Sequence, residues 1–218
     1  MSRYSSAEVL ERVLQAPLVP VFFHADAAYA QRVVQACYEG GVRVFEFTNR
    51  GTNALEVFTE LQRYVQEHLP EMVLGIGTIY TAAQAEEFIS AGAAFVVQPI
   101  MTAEVGEACR LQDVAWVPGA MTLTEVYNAQ RLGAGLVKIF PGNVLGPDFI
   151  KSLRGPMPTV KLMVTGGVEP TEASLTEWFG AGVNVVGIGS QLFKGADDVA
   201  VIAPRIAPLM QFLTSRAS

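Results

Sequence analysis

Lys138 stands in the run Leu136-Val-Lys-Ile-Phe140, an ammonium in the middle of an otherwise apolar, β-rich stretch. Burial disfavours the charged form, and the neutral amine that results is a nucleophile able to form a Schiff base with a carbonyl. A carboxylate, Glu46, interrupts a second apolar run, and each charge follows a glycine by five residues, Gly41 before Glu46 and Gly133 before Lys138. The matching offset predicts that the two side chains point the same way. A carboxylate held beside an amine or imine can move protons as general acid and base. A plain buried ion pair is the competing reading, since buried charges are usually paired. Arg50, four residues past Glu46, falls where the run ends and can clamp a carboxylate through two parallel hydrogen bonds. A solvated loop arginine is its alternative.

Three other runs end in glycine. Gly75-Ile-Gly-Thr78 puts small residues where backbone N–H groups could approach a ligand, with the Thr78 hydroxyl beside them. Thr165-Gly166-Gly167 and Gly187-Ile-Gly189-Ser190 close two later runs, each followed by a helical pattern. Bare amides at a helix start face an anion well, so this pair of loops is expected to hold a phosphate. Tight turns needing positive φ account for one such loop more easily than for both.

Positioning these groups falls to β-rich runs at 18–23, 42–48, 73–77, 95–99, 115–119, 136–140, 160–164 and 183–188. Longer amphipathic segments lie between them, and capping signals stand at Ser5-x-x-Glu8, Thr81-x-x-Gln84 and Thr122-x-x-Glu125. The runs are nearly continuous in apolar residues, as parallel strands buried on both faces are. Repeated strand-helix alternation fits an open doubly wound sheet or a closed (β/α)8 barrel. An internal echo favours the barrel: Gly41, Gly92, Gly133 and Gly182 each precede an even-numbered run, at spacings of 51, 41 and 49 residues. The α/β fold expected is a single (β/α)8 TIM barrel over residues 1–218, with an extra N-terminal helix ahead of the first strand.

Composition narrows the function. With 50% hydrophobic and 17% charged residues and a mean hydropathy of +0.32, disorder is excluded as the main state. A net charge of −6 and the lack of a Lys/Arg cluster argue against nucleic acid. Cys37 and Cys109 form no CxxC pair, and His24 and His68 are the only histidines, so neither a thiolate zinc site nor a Ser-His-Asp triad has its parts. No apolar leader and no apolar run of about 18 residues occurs, so a soluble cytoplasmic protein without a membrane partner is expected.

Along nearly the whole chain, six segments fall in the order of one family's motifs. Glu46-Phe-Thr48-Asn-Arg50, Gly75-Ile-Gly-Thr78 and Phe95-Val-Val-Gln-Pro99 resemble E-x-T-x-R, G-x-G-T and the segment ending S-P-G. Pro118-Gly119 with Thr122 and Glu125, Lys138-Ile-Phe-Pro141 and Thr165-Gly-Gly167 resemble P-G-x-x-T-x-x-E, K-F-F-P and P-T-G-G. These are the motifs of the 2-keto-3-deoxy-6-phosphogluconate (KDPG) and 4-hydroxy-2-oxoglutarate (KHG) aldolases. The resemblance implies a class I aldolase cleaving a 4-hydroxy-2-keto acid: KDPG to pyruvate and glyceraldehyde 3-phosphate, with 4-hydroxy-2-oxoglutarate to pyruvate and glyoxylate as the alternative.

It also implies residue roles. Lys138 would be the Schiff-base lysine, Glu46 the proton-transfer carboxylate, and Arg50 with Thr78 the holders of the keto acid's carboxylate. Pro99, Phe140 and Thr165 would be further substrate contacts, and Gly166, Gly167, Gly189 and Ser190 the phosphate loops. A homotrimer of barrels, using no metal and no other cofactor, is implied as well. Ile76, Gln98, Ile100, Ile139 and Val164 depart from those motifs; they are expected to neighbour the pocket and alter which aldehyde fits. A phosphate-binding isomerase or synthase barrel, in which Lys138 has no covalent role, and a non-catalytic metabolite-binding barrel are the other readings.

Overall fold

The computed structural model describes residues 4–195 and 198–217; residues 1–3, 196–197 and 218 of the expected domain lie outside the described residues. Its strands are β1 (Leu18–Phe22), β2 (Val44–Thr48), β3 (Val73–Gly77), β4 (Phe95–Val97), β5 (Ala115–Val117), β6 (Gly119–Ala120), β7 (Val137–Ile139), β8 (Leu162–Thr165) and β9 (Val185–Ile188). They pair in parallel in the order β5-β4-β3-β2-β1-β9-β8-β7-β6. β5 and β6 are two halves of one strand, parted at Pro118. Val117 accepts from the Gln98 amide at 3.0 Å and Pro118 from the Lys138 amide at 2.8 Å, so the two ends of the row are one piece of chain. The sheet therefore closes into the expected eight-position barrel.

The helices are α1 (Ser6–Gln15), α2 (Ala27–Glu39), α3 (Ala54–His68), α4 (Ala82–Ser90), α5 (Ala103–Leu111), α6 (Leu123–Arg131), α7 (Gly142–Arg154), α8 (Glu172–Ala181), α9 (Ser190–Phe193) and α10 (Ile202–Ala217). The capping boxes Ser5/Glu8, Thr81/Gln84 and Thr122/Glu125 all form, opening α1, α4 and α6. Each satisfies two amides that a helix start leaves without partners. The four repeat glycines share one backbone state, with φ of 99°, 101°, 93° and 112° at Gly41, Gly92, Gly133 and Gly182. A side chain disfavours that region, so glycine ends each helix and turns the chain into the next strand.

Alternate residues of each strand face two separate layers. Phe45, Phe47, Ile76, Val96, Trp116, Ile139, Val164 and Val186 face outward into one continuous core with the surrounding helices. Val19, Val44, Val73, Val97, Val117, Leu136, Met163 and Val185 face the lumen. There they meet Val9 and Val13 of α1, which plugs the N-terminal end of the barrel. The Ser6 hydroxyl donates to Asp113 at 2.6 Å and ties α1 to the turn before β5. Both cysteines lie in the outer layer, where burial pushes the Cys109 thiol up to about 12 and raises that of Cys37 as well, so neither is a ready nucleophile.

Most strands are shorter than the sequence predicts. Residues 42–43, 98–99, 136 and 140, 160–161 and 183–184 lie beyond the regular strands, although Arg43, Gln98, Phe140, Lys161 and Asn184 each still share a backbone hydrogen bond with the adjacent strand, and the 115–119 run is broken at Pro118 but reaches Ala120. Prolines at 99, 118 and 141 have no N–H to continue a ladder, while apolar character extends beyond the paired residues.

Candidate active site

Lys138 and Glu46 occupy corresponding lumen-facing positions on β7 and β2, beyond the apolar floor formed by Leu136 and Val44. Both are buried, and Lys138 Nζ lies 3.6 Å from Glu46 Oε1. The equal offsets from Gly133 and Gly41 thus do bring the two charges together. At that separation they attract without a direct hydrogen bond, and Glu46 Oε2 is buried with no partner at all. Two desolvated charges and a bare carboxylate oxygen are expensive to hold, costing on the order of 1–3 kcal/mol for the unpaired oxygen alone. The geometry leaves one carboxylate oxygen and the amine free to engage a third group between them.

Glycines clear the space. A Cβ on Gly77 would overlap Glu46 Oε1, one on Gly75 would overlap the Phe95 ring, and one on Gly187 would lie 2.5 Å from Thr165 Oγ1. The Gly75-x-Gly77 pair is therefore required by packing around Glu46 and Phe95. Thr165 ends β8 beside Gly187, nearly buried, and its hydroxyl also lacks a partner. The Phe140 ring centroid lies 5.3 Å from Lys138 Nζ, a distance at which the ring face attracts a cation. Pro99 is half-buried against Gly119, the residue that pairs with Lys138.

At the rim, Arg50 is exposed, and its guanidinium makes no hydrogen bond or ion pair with another described residue. Thr78 follows β3 with φ of 64°, an uncommon state for a β-branched residue. Gly166 and Gly167 have φ of 90° and 76°, and a Cβ on Gly167 would lie 2.6 Å from that of Asn143. Glu169 Oε1 accepts from Gln191 Nε2 at 2.9 Å, which ties the loop after β8 to the turn holding Gly189 and Ser190. One expectation fails: α8 begins only at Glu172, capped by Thr171, so no helix start lies at Gly166 and Gly167. After β9 a helix does start at Ser190, but it is only four residues long. His24 turns inward to its own loop, where Nδ1 accepts from the Asp26 amide at 3.0 Å and the ring packs on Tyr29.

The departures from the motif pattern are a second correction. Ile76, Ile139 and Val164 face outward and are fully buried beneath the helices, so they line no pocket. Gln98 is also fully buried and bonds Trp116 Nε1 at 2.8 Å in that same outer layer. Ile100 alone of the five is exposed, at 51%. The sequence reading also passed over the Gln98 contacts, although a polar residue before Pro99 and four residues ahead of Thr102 was a signal for them.

Comparison with known proteins places this architecture. Residues 9–203 match the family described as KDPG and KHG aldolase. The 2-dehydro-3-deoxy-phosphogluconate aldolase of Pseudoalteromonas atlantica is 33% identical over 158 residues, 72% of each chain. The KDPG aldolase of Zymomonas mobilis ZM4, solved with 3-phosphoglycerate, superimposes with a TM-score of 0.83 and 29% identity over 93% of this chain and 95% of that one. The KDPG aldolase of Legionella pneumophila, solved with pyruvate captured at low pH as a covalent carbinolamine, gives 0.82 and 25% over 92% and 97%. The chain belongs to the KDPG and KHG aldolase family and is an aldolase, a lyase.

Proposed function

We propose that this aldolase cleaves KDPG to pyruvate and glyceraldehyde 3-phosphate through an imine on Lys138. The observation that carries this is the Lys138–Glu46 pair, 3.6 Å apart and shut away from solvent, with Glu46 Oε2 left bare. Lys138 gives a proton to Glu46 and, as the free amine, adds to the C2 carbonyl to give a carbinolamine, the species captured in the Legionella enzyme. Glu46 moves the protons that turn this into water and a protonated imine. It then takes the C4 hydroxyl proton as the C3–C4 bond breaks; the bonding pair flows into the imine to give an enamine, and the aldehyde departs. Protonation at C3 and hydrolysis return pyruvate and free Lys138.

Arg50 and Thr78 hold the carboxylate, and Pro99, Phe140 and Thr165 line the chain of the substrate. The glycine loops take the terminal phosphate with the amides of Gly166, Gly167 and Gly189 and the Ser190 hydroxyl. The Glu169–Gln191 bond supports this by setting the two loops against each other. The active form is a homotrimer in the cytoplasm; exposed Ile100, Met121, Leu123 and Val144, beyond neighbouring barrel strands, support self-association. Sodium borohydride with pyruvate should fix a stable adduct on the peptide holding Lys138 and abolish turnover. A label on Lys151 or Lys161, or faster cleavage of 4-hydroxy-2-oxoglutarate than of KDPG, would overturn the corresponding part of the reading.

A further inference from the structure

Gln98 is completely buried, yet its amide points away from the lumen into the layer beneath α5, and all of it is in use. Oε1 accepts from Trp116 Nε1 at 2.8 Å and from the Thr102 amide at 3.4 Å, while Nε2 donates to Thr102 Oγ1 at 2.8 Å and to the Ile79 carbonyl at 3.4 Å. This network takes a cap from α5. Thr81, Thr122 and Thr171 each accept an amide of the helix they open, whereas Thr102, at the same position of α5, does not. Its hydroxyl is engaged by Gln98 instead. A local rule set aside for a tertiary contact is expected where a functional geometry must be held.

What the network holds is the loop after β3. Thr78 sits in the left-handed region, and the chain is pinned on both sides of it. The Gly77 carbonyl accepts from the Asn49 amide at 2.9 Å, the Ile79 amide donates to Val97 at 3.5 Å, and the Ile79 carbonyl takes the Gln98 bond. We propose that Gln98 is a positioning residue that locks Thr78 in the conformation in which it meets the keto acid's carboxylate. Trp116 and Thr102 fix Gln98, Gln98 fixes Ile79, and Ile79 fixes the backbone of Thr78. The inference rests on the carboxylate-holding role given to Thr78 above.

Condensation separates this role from a merely structural one, because pyruvate and glyceraldehyde 3-phosphate then have their own KM values. Gln98→Met, nearly the same shape without hydrogen bonds, should raise KM for pyruvate about three- to tenfold and change KM for the aldehyde less than about twofold. Trp116→Phe, which removes the donor to Gln98 Oε1 together with part of a ring packed against Gly106, should raise pyruvate KM and leave the aldehyde KM within about twofold, and decides the matter if Gln98→Met does not fold. Adding Gln98→Met to Thr78→Ala should bring no further rise. If Thr78→Ala raises pyruvate KM while Gln98→Met and Trp116→Phe do not, or raise both KM values alike, the role of Gln98 is refuted. If Thr78→Ala itself leaves pyruvate KM unchanged, it is the carboxylate reading of Thr78 that fails, and the inference falls with it.

Discussion

In the lower half of the lumen, Val44, Leu136, Met163 and Val185 pack together with Val9 and Val13 of α1; two residues further along the same four strands stand Glu46, Lys138, Thr165 and Gly187. The floor is apolar. In the mouth, two charges have left water, two polar atoms lack partners, and glycines replace side chains. Burial of apolar surface stabilises the floor at roughly 25 cal/mol per Å². The buried pair above contributes little net stability, because desolvation offsets most of its attraction. The barrel thus divides its labour over one strand repeat, with a rigid floor holding an arrangement that would not assemble unaided.

Substitutions that affect only one region break this comparison or sharpen it. Glu46→Gln should lower kcat by roughly two to four powers of ten, the usual worth of a positioned acid-base group, in a protein that still folds. Unchanged turnover would reduce Glu46 to a structural partner of Lys138. One step down the same barrel, Leu136→Ala should cost about 2–5 kcal/mol in urea unfolding, with borohydride still labelling Lys138 in the folded fraction. Loss of labelling at full stability would mean that floor and mouth are not separable.

At the rim, Ser190→Ala should lower kcat/KM for KDPG by about 1–3 kcal/mol of transition-state binding and leave 4-hydroxy-2-oxoglutarate almost unaffected. Equal losses on both substrates would remove Ser190 from the phosphate loop. The smallest effect belongs to the outer layer. Ile139→Val should cost about 0.5–1.5 kcal/mol of stability and leave the preference between the two substrates where it was, since Ile139 faces the helices. A changed preference would show that the outer layer shapes the pocket after all.

Much of the frame was legible without coordinates. Ser5/Glu8, Thr81/Gln84 and Thr122/Glu125 are local signals that act within one turn, and the repeat glycines announce a backbone state that side chains disfavour. Glu46 and Lys138 stand out because a charge in an apolar run must be paid for by function or by pairing, and their offsets from Gly41 and Gly133 foretold that they meet.

Which face of each strand looks inward was decided only by closure of the barrel. A parallel strand buried on both sides is apolar at every position, so its composition carries no mark of the lumen, and Ile76, Gln98, Ile139 and Val164 read as pocket neighbours until the ring assigned them outward. The plug made by α1 and the bare oxygen of Glu46 likewise depend on residues far apart in the chain coming together. Local chemistry selects turns, caps and odd charges one segment at a time; which side chains share an interior is set by packing between segments.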